Sequence, residues 1–363
     1  MPEYKAPGVY TENTDPNQHP ISGVSTTVTA FVGFTQSGPD APTLLNSFAD
    51  YTSMFGSSAT PGGYMTQAVQ GFFDNGGTQL YVSRINGNPS SPGSVLEPLE
   101  ALDEISIVCC PDEHSIAGMP ASLVAHCERM RYRIAVLAAP PGSDLENVPP
   151  ADVRSALAAY YAPWVLVPDP CRGADLTVYP GGHIAGAIVR NDLERGVWKA
   201  PANLALLGIT GLERQITDVQ QATLSQRGVN VLRSFPAQGV LIWGARTTSQ
   251  DPQWKYVNIR RYLNYLEQSI DQGLQWVVFE ANGESLWSQV RQSIDSFLLN
   301  QFKAGALKGS SPAEAYFVRC DATTMTQDDI DKGRLVVLVG VAPLYPAEFI
   351  VFQIGEWTAD ATC

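Results

Sequence analysis

The sequence predicts an α/β protein built on mixed sheets, and three observations predict it. Short runs of β-forming residues alternate along the chain with segments whose apolar residues repeat at helical spacing, the order that builds layers of sheet and helix. With 363 residues, 44% of them hydrophobic, the chain can bury more than one sizeable core. No internal repeat of fixed period occurs, which excludes a solenoid or a propeller.

The elements follow in order. Residues 1–20 hold Pro2, Pro7, Pro16 and Pro20 without helical periodicity and read as an extended arm that cannot fold alone. Residues 23–35 alternate small polar and apolar β-formers, a strand pattern. Met65, Ala68, Val69, Phe72 and Phe73 lie on one helical face that ends at Asn75-Gly76-Gly77, and residues 80–85 resume as a strand. Beyond a Pro/Ser/Gly-rich break at 86–94, a second block predicts a strand at 105–109, a helix near 122–131, a strand at 134–137, a helix at 152–161 and a strand at 164–167. Residues 168–182, with three prolines and three glycines, read as a domain seam. A helix at 183–194 and strands at 229–235 and 240–243 come next. Two long amphipathic helices follow, one with Tyr256, Ile259, Leu263, Leu266 and Ile270 on a face, the other with Trp287, Val290, Ile294, Phe297 and Leu298. Strands at 315–320, 335–341 and 349–354 close the chain.

Composition narrows the function. Charged residues make up 16% of the chain, against a usual share of about 25%, so the exterior is under-charged, as expected where copies of the chain cover one another. The net charge of −13 argues against binding nucleic-acid backbones or anionic membranes, both of which need clustered cations. Residues 1–200 carry 10 basic and 20 acidic side chains and the remainder 13 and 16, so the acidity sits in the first part. Glu97, Glu100, Asp103, Glu104, Asp112 and Glu113 read as a solvated, repelling surface before they read as a cation site. The start of the chain has neither basic nor apolar signal regions, and the apolar stretch 334–355 is broken by Pro343, Pro346 and Glu348, so synthesis in the cytosol without membrane insertion is expected. Six cysteines without a Cys-x-x-Cys pair suit reduced thiols.

Catalytic patterns are weak. The run Gly181-Gly182-His183-Ile184-Ala185-Gly186 is glycine-rich before a helix but lacks both dinucleotide and P-loop spacing. No Gly-x-Ser-x-Gly elbow is present, and four histidines leave little for a triad. Cys109, Cys110, Asp112, His114, His126 and Cys127 contain the right atoms for zinc, yet adjacent strand cysteines point to opposite faces, so buried thiols and surface histidines are the expectation. Lys255, Arg260 and Arg261 form a cationic cluster, read as a wet helical face or as a surface for an acidic partner. Thr326 reads as a helix N-cap with Asp328, Asp329 and Asp331 in the first turns, where the dipole favours them. No cofactor and no metal are expected, and what remains is an assembly subunit.

Specific words reinforce that conclusion: Pro7-Gly8-Val9-Tyr10, Phe72-Phe73-Asp74-Asn75-Gly76-Gly77, Leu80-Tyr81-Val82-Ser83-Arg84, Tyr179-Pro180-Gly181-Gly182-His183, Gly196-Val197-Trp198-Lys199-Ala200-Pro201, Trp243-Gly244-Ala245-Arg246-Thr247, Phe279-Glu280-Ala281-Asn282 and Pro346-Ala347-Glu348-Phe349-Ile350. In this order, across nearly the whole chain, they resemble the contractile tail sheath family of phage tails, R-type bacteriocins and extracellular injection systems. Ala138 departs from the family, many of whose members place Asp there, and the length is more similar to the compact sheaths of injection systems and bacteriocins than to the larger phage sheaths.

The resemblance implies an extended N-terminal arm over 1–20, a peripheral α/β region over 21–182, an inner polymer-building domain over 183–343 and a C-terminal strand or arm over 344–363. It implies a helical homo-oligomer in hexameric layers, contracting without nucleotide around an inner tube protein, with baseplate and terminal cap proteins as further partners, in a phage-like particle assembled in the cytoplasm and released. Pro7, Gly8, Val9 and Tyr10 in the arm and Phe349, Ile350, Val351 and Phe352 in the last strand are expected to pair with neighbours' sheets, and Asp328, Asp329 and Asp331 to meet the tube. An α/β enzyme with an unrecognised site, or a tube or baseplate component of the same machine, is the alternative.

Overall fold

A computed structural model describes residues 19–57, 63–87, 91–169 and 173–348. In chain order the elements are β1 (Thr29–Phe34), β2 (Thr43–Leu45), α1 (Phe48–Phe55), α2 (Met65–Asp74), β3 (Leu80–Ile85), β4 (Ile107–Cys109), α3 (Met119–Met130), β5 (Ile134–Ala138), β6 (Ala158–Ala162), β7 (Val165–Asp169), β8 (Ala174–Val178), α4 (Gly181–Arg195), β9 (Leu204–Ala205), β10 (Gly211–Leu212), α5 (Asp218–Gln226), β11 (Val229–Phe235) and β12 (Gly239–Trp243). After them come α6 (Val257–Gly273), α7 (Glu284–Lys303), α8 (Pro312–Ala315), β13 (Tyr316–Arg319), α9 (Gln327–Asp331) and β14 (Leu338–Val341).

Nine strands make the main sheet in the order β2-β3-β1-β4-β5-β6-β11-β12-β9. The strands from β3 to β11 run parallel, and β2, β12 and β9 add antiparallel edges. Parallel strands need both faces covered, and the alternation of side chains supplies two cores. Phe31, Ile107, Cys109, Ile134 and Val136 face one layer with α1, α2 and α4. Ala30, Val32, Val108, Cys110, Ala135 and Leu137 face the other, with α3. A third core joins α6 and α7 to β13 and β14 through Tyr262, Leu266, Val290, Ile294, Phe297 and Tyr316, and takes in Ile21 and Val197.

The glycine-rich run at 181–186 is a helix crossing. A Cβ on Gly182 would stand 2.2 Å from the carbonyl oxygen of Ala68, and one on Gly186 2.2 Å from that of Phe72, so only glycine lets α4 lie this close to α2. Gly71 on α2 likewise makes room for the ring of His183.

Two expectations are corrected. Residues 152–161 are not a helix: a single 3-10 turn at Ala151–Val153 precedes β6, whose five residues are all buried between β5 and β11. Tertiary pairing overrides the helical propensity of its alanines. Asp112 and Glu113 are buried rather than solvated. Residues 168–182 hold parts of β7 and β8, and the main sheet continues beyond them through β11, β12 and β9.

Candidate assembly interface

The small sheet of β13 and β14 is the part of the molecule best prepared for a partner. Its two strands pair antiparallel from Tyr316 opposite Val341 to Arg319 opposite Leu338. Among the described residues neither outer edge carries a further strand, although two-stranded sheets are marginal alone and open edges invite addition. One side packs on α7 through Tyr316, while Phe317 is 50% exposed and Leu338 and Val339 are also exposed.

Both ends of the described chain are anchored on this second unit. At the N-terminal end the His19 ring stacks on Trp276 at 4.1 Å, and Ile21 enters the core against Gly273. Pro7, Gly8, Val9 and Tyr10 lie outside the described residues. At the other end Glu348 is gripped by four donors. Arg246 binds it bidentately through Nε and Nη2, both at 2.7 Å, with Lys255 Nζ at 2.8 Å and Tyr256 Oη at 2.9 Å. Burial raises the carboxyl pKa, but these donors and the Arg246 charge outweigh it and hold the group down at about 2. Phe349, Ile350, Val351 and Phe352 follow directly and also lie outside the described residues.

The expected cationic face is dismantled by the structure. Lys255 points at Glu348, and Arg260 pairs with Glu267 and lies over the Trp254 ring. Arg261 is buried against Asp192 on α4 at 2.9 and 2.7 Å, and Thr26 shares the same carboxylate. Position along a helix cannot reveal a partner that a distant segment supplies, and so neither this pair nor the role of Glu348 was legible in the sequence.

The acidic cap forms as expected. Thr326 Oγ1 accepts from the Asp329 amide in a reciprocal capping box. Asp329 also pairs with Arg334, Asp328 with Lys332 and Arg334, and Asp331 accepts from Gln327 Nε2. The chain's own cations therefore already meet two of the three carboxylates.

The cysteine and histidine constellation is dispersed. Cys109 and Cys110 lie in cores on opposite faces of the sheet, and Cys127 lies with Cys110. No metal-binding group of three ligands occurs among the described residues. Asp112 accepts from the backbone amides of Phe34 and Tyr64, tying β1 to the start of α2. Glu113 accepts from the Ala138 amide, and burial pushes its carboxyl well above the usual range. Against the surface expectation, His126 is fully buried beside Arg133, at 2.8 Å; burial and the neighbouring Arg133 and Arg129 charges lower its pKa to about 4. Burial alone lowers that of His183 to about 4. Among the described residues these groups serve as structural ties between elements.

Comparison with known proteins matches this architecture. The model of the phage tail sheath protein central domain covers residues 93–248, and that of the phage tail sheath C-terminal domain residues 249–355. The chain is 32% identical to the helical sheath of the anti-feeding prophage in its contracted state, covering 97% of this chain and 99% of that one with a TM-score of 0.84. The chain belongs to the phage tail sheath family. The sheath of an extracellular contractile injection system, PVC, also contracted, is 30% identical over 99% of both chains with a TM-score of 0.82. The tail sheath protein of Vibrio phage KVP40 is 29% identical over 184 residues, and the match spans 50% of this chain but 26% of that protein. The boundary between the two family models, at 248, falls between β12 and α6.

Proposed function

We propose that this chain is the polymerising subunit of a contractile sheath, a mechanical protein and not an enzyme. It surrounds an inner tube in stacked layers, with baseplate and cap proteins at the ends, in a particle assembled in the cytoplasm and released to act on a target envelope. The observation that carries the reading is the two-stranded sheet of β13 and β14, open at both edges, in a chain whose two terminal segments leave from the same unit. One edge receives the N-terminal arm of a neighbour, through Pro7, Gly8, Val9 and Tyr10, and the other the C-terminal strand of a second neighbour, through Phe349, Ile350, Val351 and Phe352. Backbone hydrogen bonds of this kind link subunits while allowing them to turn. The likeness to two contracted sheaths over nearly the full chain supports the same assembly here. Contraction needs no nucleotide if the extended array is a kinetically trapped state that converts cooperatively to more extensive contacts.

The residues after the boundary between the two family models, at 248, form the polymer-building unit, and the main sheet forms the peripheral one. The acidic helix α9 faces the tube, with Asp328, Asp329 and Asp331 meeting a basic patch. Deleting residues 1–17 tests the central point. The truncated chain should fold with near-normal circular dichroism and remain soluble, yet form no sheaths in negative-stain micrographs. Truncated chains that still built sheaths contracting as a unit would overturn strand donation.

A further inference from the structure

The four-donor grip on Glu348 has no part in any of the three cores, and its position defines what it does. The described chain is held firmly up to Pro343: Lys308 donates to the Ala342 carbonyl at 2.8 Å, and Leu307 bridges to Pro343. Between there and residue 348 the ties are few. Asn258 Nδ2 reaches the Leu344 carbonyl at a long 3.5 Å, and the Tyr345 ring lies edge-on to Tyr256 at 6.0 Å. Leu344 and Tyr345 are themselves exposed. The segment would leave the surface at residue 344 but for Glu348, whose carboxylate is only 21% exposed and meets a fork-shaped bidentate arginine, a lysine and a phenol. Arg246 follows β12, the last main-sheet strand but one in the pairing order, while Lys255 and Tyr256 open α6, so the grip also spans the place where the two units join.

We propose that Glu348 is a positioning residue that fixes the point from which the C-terminal strand departs, so that the link to the next subunit is a short, taut tether. The inference rests on strand donation as proposed above. Releasing Glu348 moves the departure point back by five residues, from 348 to 343, and adds up to about 17 Å of slack at roughly 3.4 Å per extended residue. A slack tether lowers the effective concentration of the donated strand. It also lets one subunit turn without pulling its neighbour, so a wave of contraction can stall.

Glu348→Ala tests the grip and the slack separately. In the free subunit, chymotrypsin should cut after Leu344 about tenfold faster or more than in the parent chain, with circular dichroism unchanged, because local opening of the segment no longer has to break the clamp. Sheaths assembled on tubes and triggered with urea should contract in patches, leaving extended and contracted stretches within one particle, where the parent contracts all along. A second variant keeps Glu348 and inserts five Gly/Ser residues between it and Phe349; the added slack alone should give the same patchy contraction with no change in cleavage after Leu344. Uniform contraction of either variant's sheaths, or unchanged cleavage of Glu348→Ala, overturns the proposal. Deleting residues 349–363 separates it from the reading beneath it: if that chain still builds sheaths, strand donation itself fails, whereas loss of assembly there with uniform contraction in the other two variants condemns only the role of Glu348.

Discussion

Replacing Asp192 by Ala tests how firmly the two units of the subunit are joined. Asp192 lies near the end of α4 on the main-sheet unit, and Arg261 lies in the first half of α6 on the other. Their side chains are 1% and 4% exposed and meet through two hydrogen bonds of 2.9 and 2.7 Å. Thr26 donates to Asp192 at 2.8 Å, and Arg261 donates to the Thr26 carbonyl, so the N-terminal connection is part of the same knot. Removing the carboxylate leaves a guanidinium out of water without its counter-charge, which costs about 3–5 kcal/mol. The loss should appear as a fall in the urea midpoint at unchanged slope, and as a drop in melting temperature of about 2–4 °C per kcal/mol for units of this size. The double variant Asp192→Leu with Arg261→Met removes both charges and should regain most of that loss, because a buried pair is worth little more than an apolar pair of the same shape. A cost below about 1 kcal/mol for Asp192→Ala would show that water reaches the pair and that the junction is not closed as described. A double variant no better than the single would show that the charges themselves, and not the orphaned arginine, hold the units together.

Further expectations concern the sheet unit and the acidic helix. Gly182→Ala puts a methyl 2.2 Å from a backbone oxygen of α2 and should destabilise by about 3 kcal/mol or more, or prevent folding, as measured by urea denaturation. Glu113 has a raised folded-state pKa, so its contribution is fully present below the ordinary carboxyl value of 4.5 and is lost as pH rises through the folded value; Glu113→Gln should therefore flatten the loss of stability on the alkaline side of a pH series. His126 and His183, with folded values lowered to about 4, act in the opposite sense: their contribution is present above 6.5 and is lost as pH falls from there towards 4. Reversing the charge of Asp328, Asp329 and Asp331 together should weaken sheath assembly on tubes but not polysheath formation without them, and intact assembly on tubes would remove α9 from the tube contact.

The parts of the fold that the sequence revealed are those where local pattern and tertiary demand agree. The strands at 80–85 and 229–235 were legible to the residue, since an apolar run between turn residues leaves few other conformations. The Thr326 cap was legible because all its partners lie within three residues. Residues 152–161 were misread because Ala-Ala-Tyr-Tyr-Ala favours a helix in isolation, and only the strands on either side make it β6. Asp112 and Glu113 were misread for a related reason. A carboxylate written beside other carboxylates looks solvated until the fold aims backbone amides at it. The clamp on Glu348 joins residues 92 to 102 positions apart, a separation at which charge pattern carries no information.

These particulars favour a division of labour within one chain. The knot at Asp192 and Arg261 and the close crossing of α2 and α4 involve groups sealed from water, so their geometry does not respond to small forces at the surface. The edges of β13 and β14 lie where backbone groups and apolar side chains remain open to a partner. If the proposed strand donation holds, a subunit built this way would transmit rotation through its ends rather than absorb it inside, because bending the interior would have to break buried, charge-assisted bonds first. The under-charged sequence fits the same proposal: around β13 and β14, Phe317, Leu338 and Val339 stand exposed, and they would gain by burial against a neighbour.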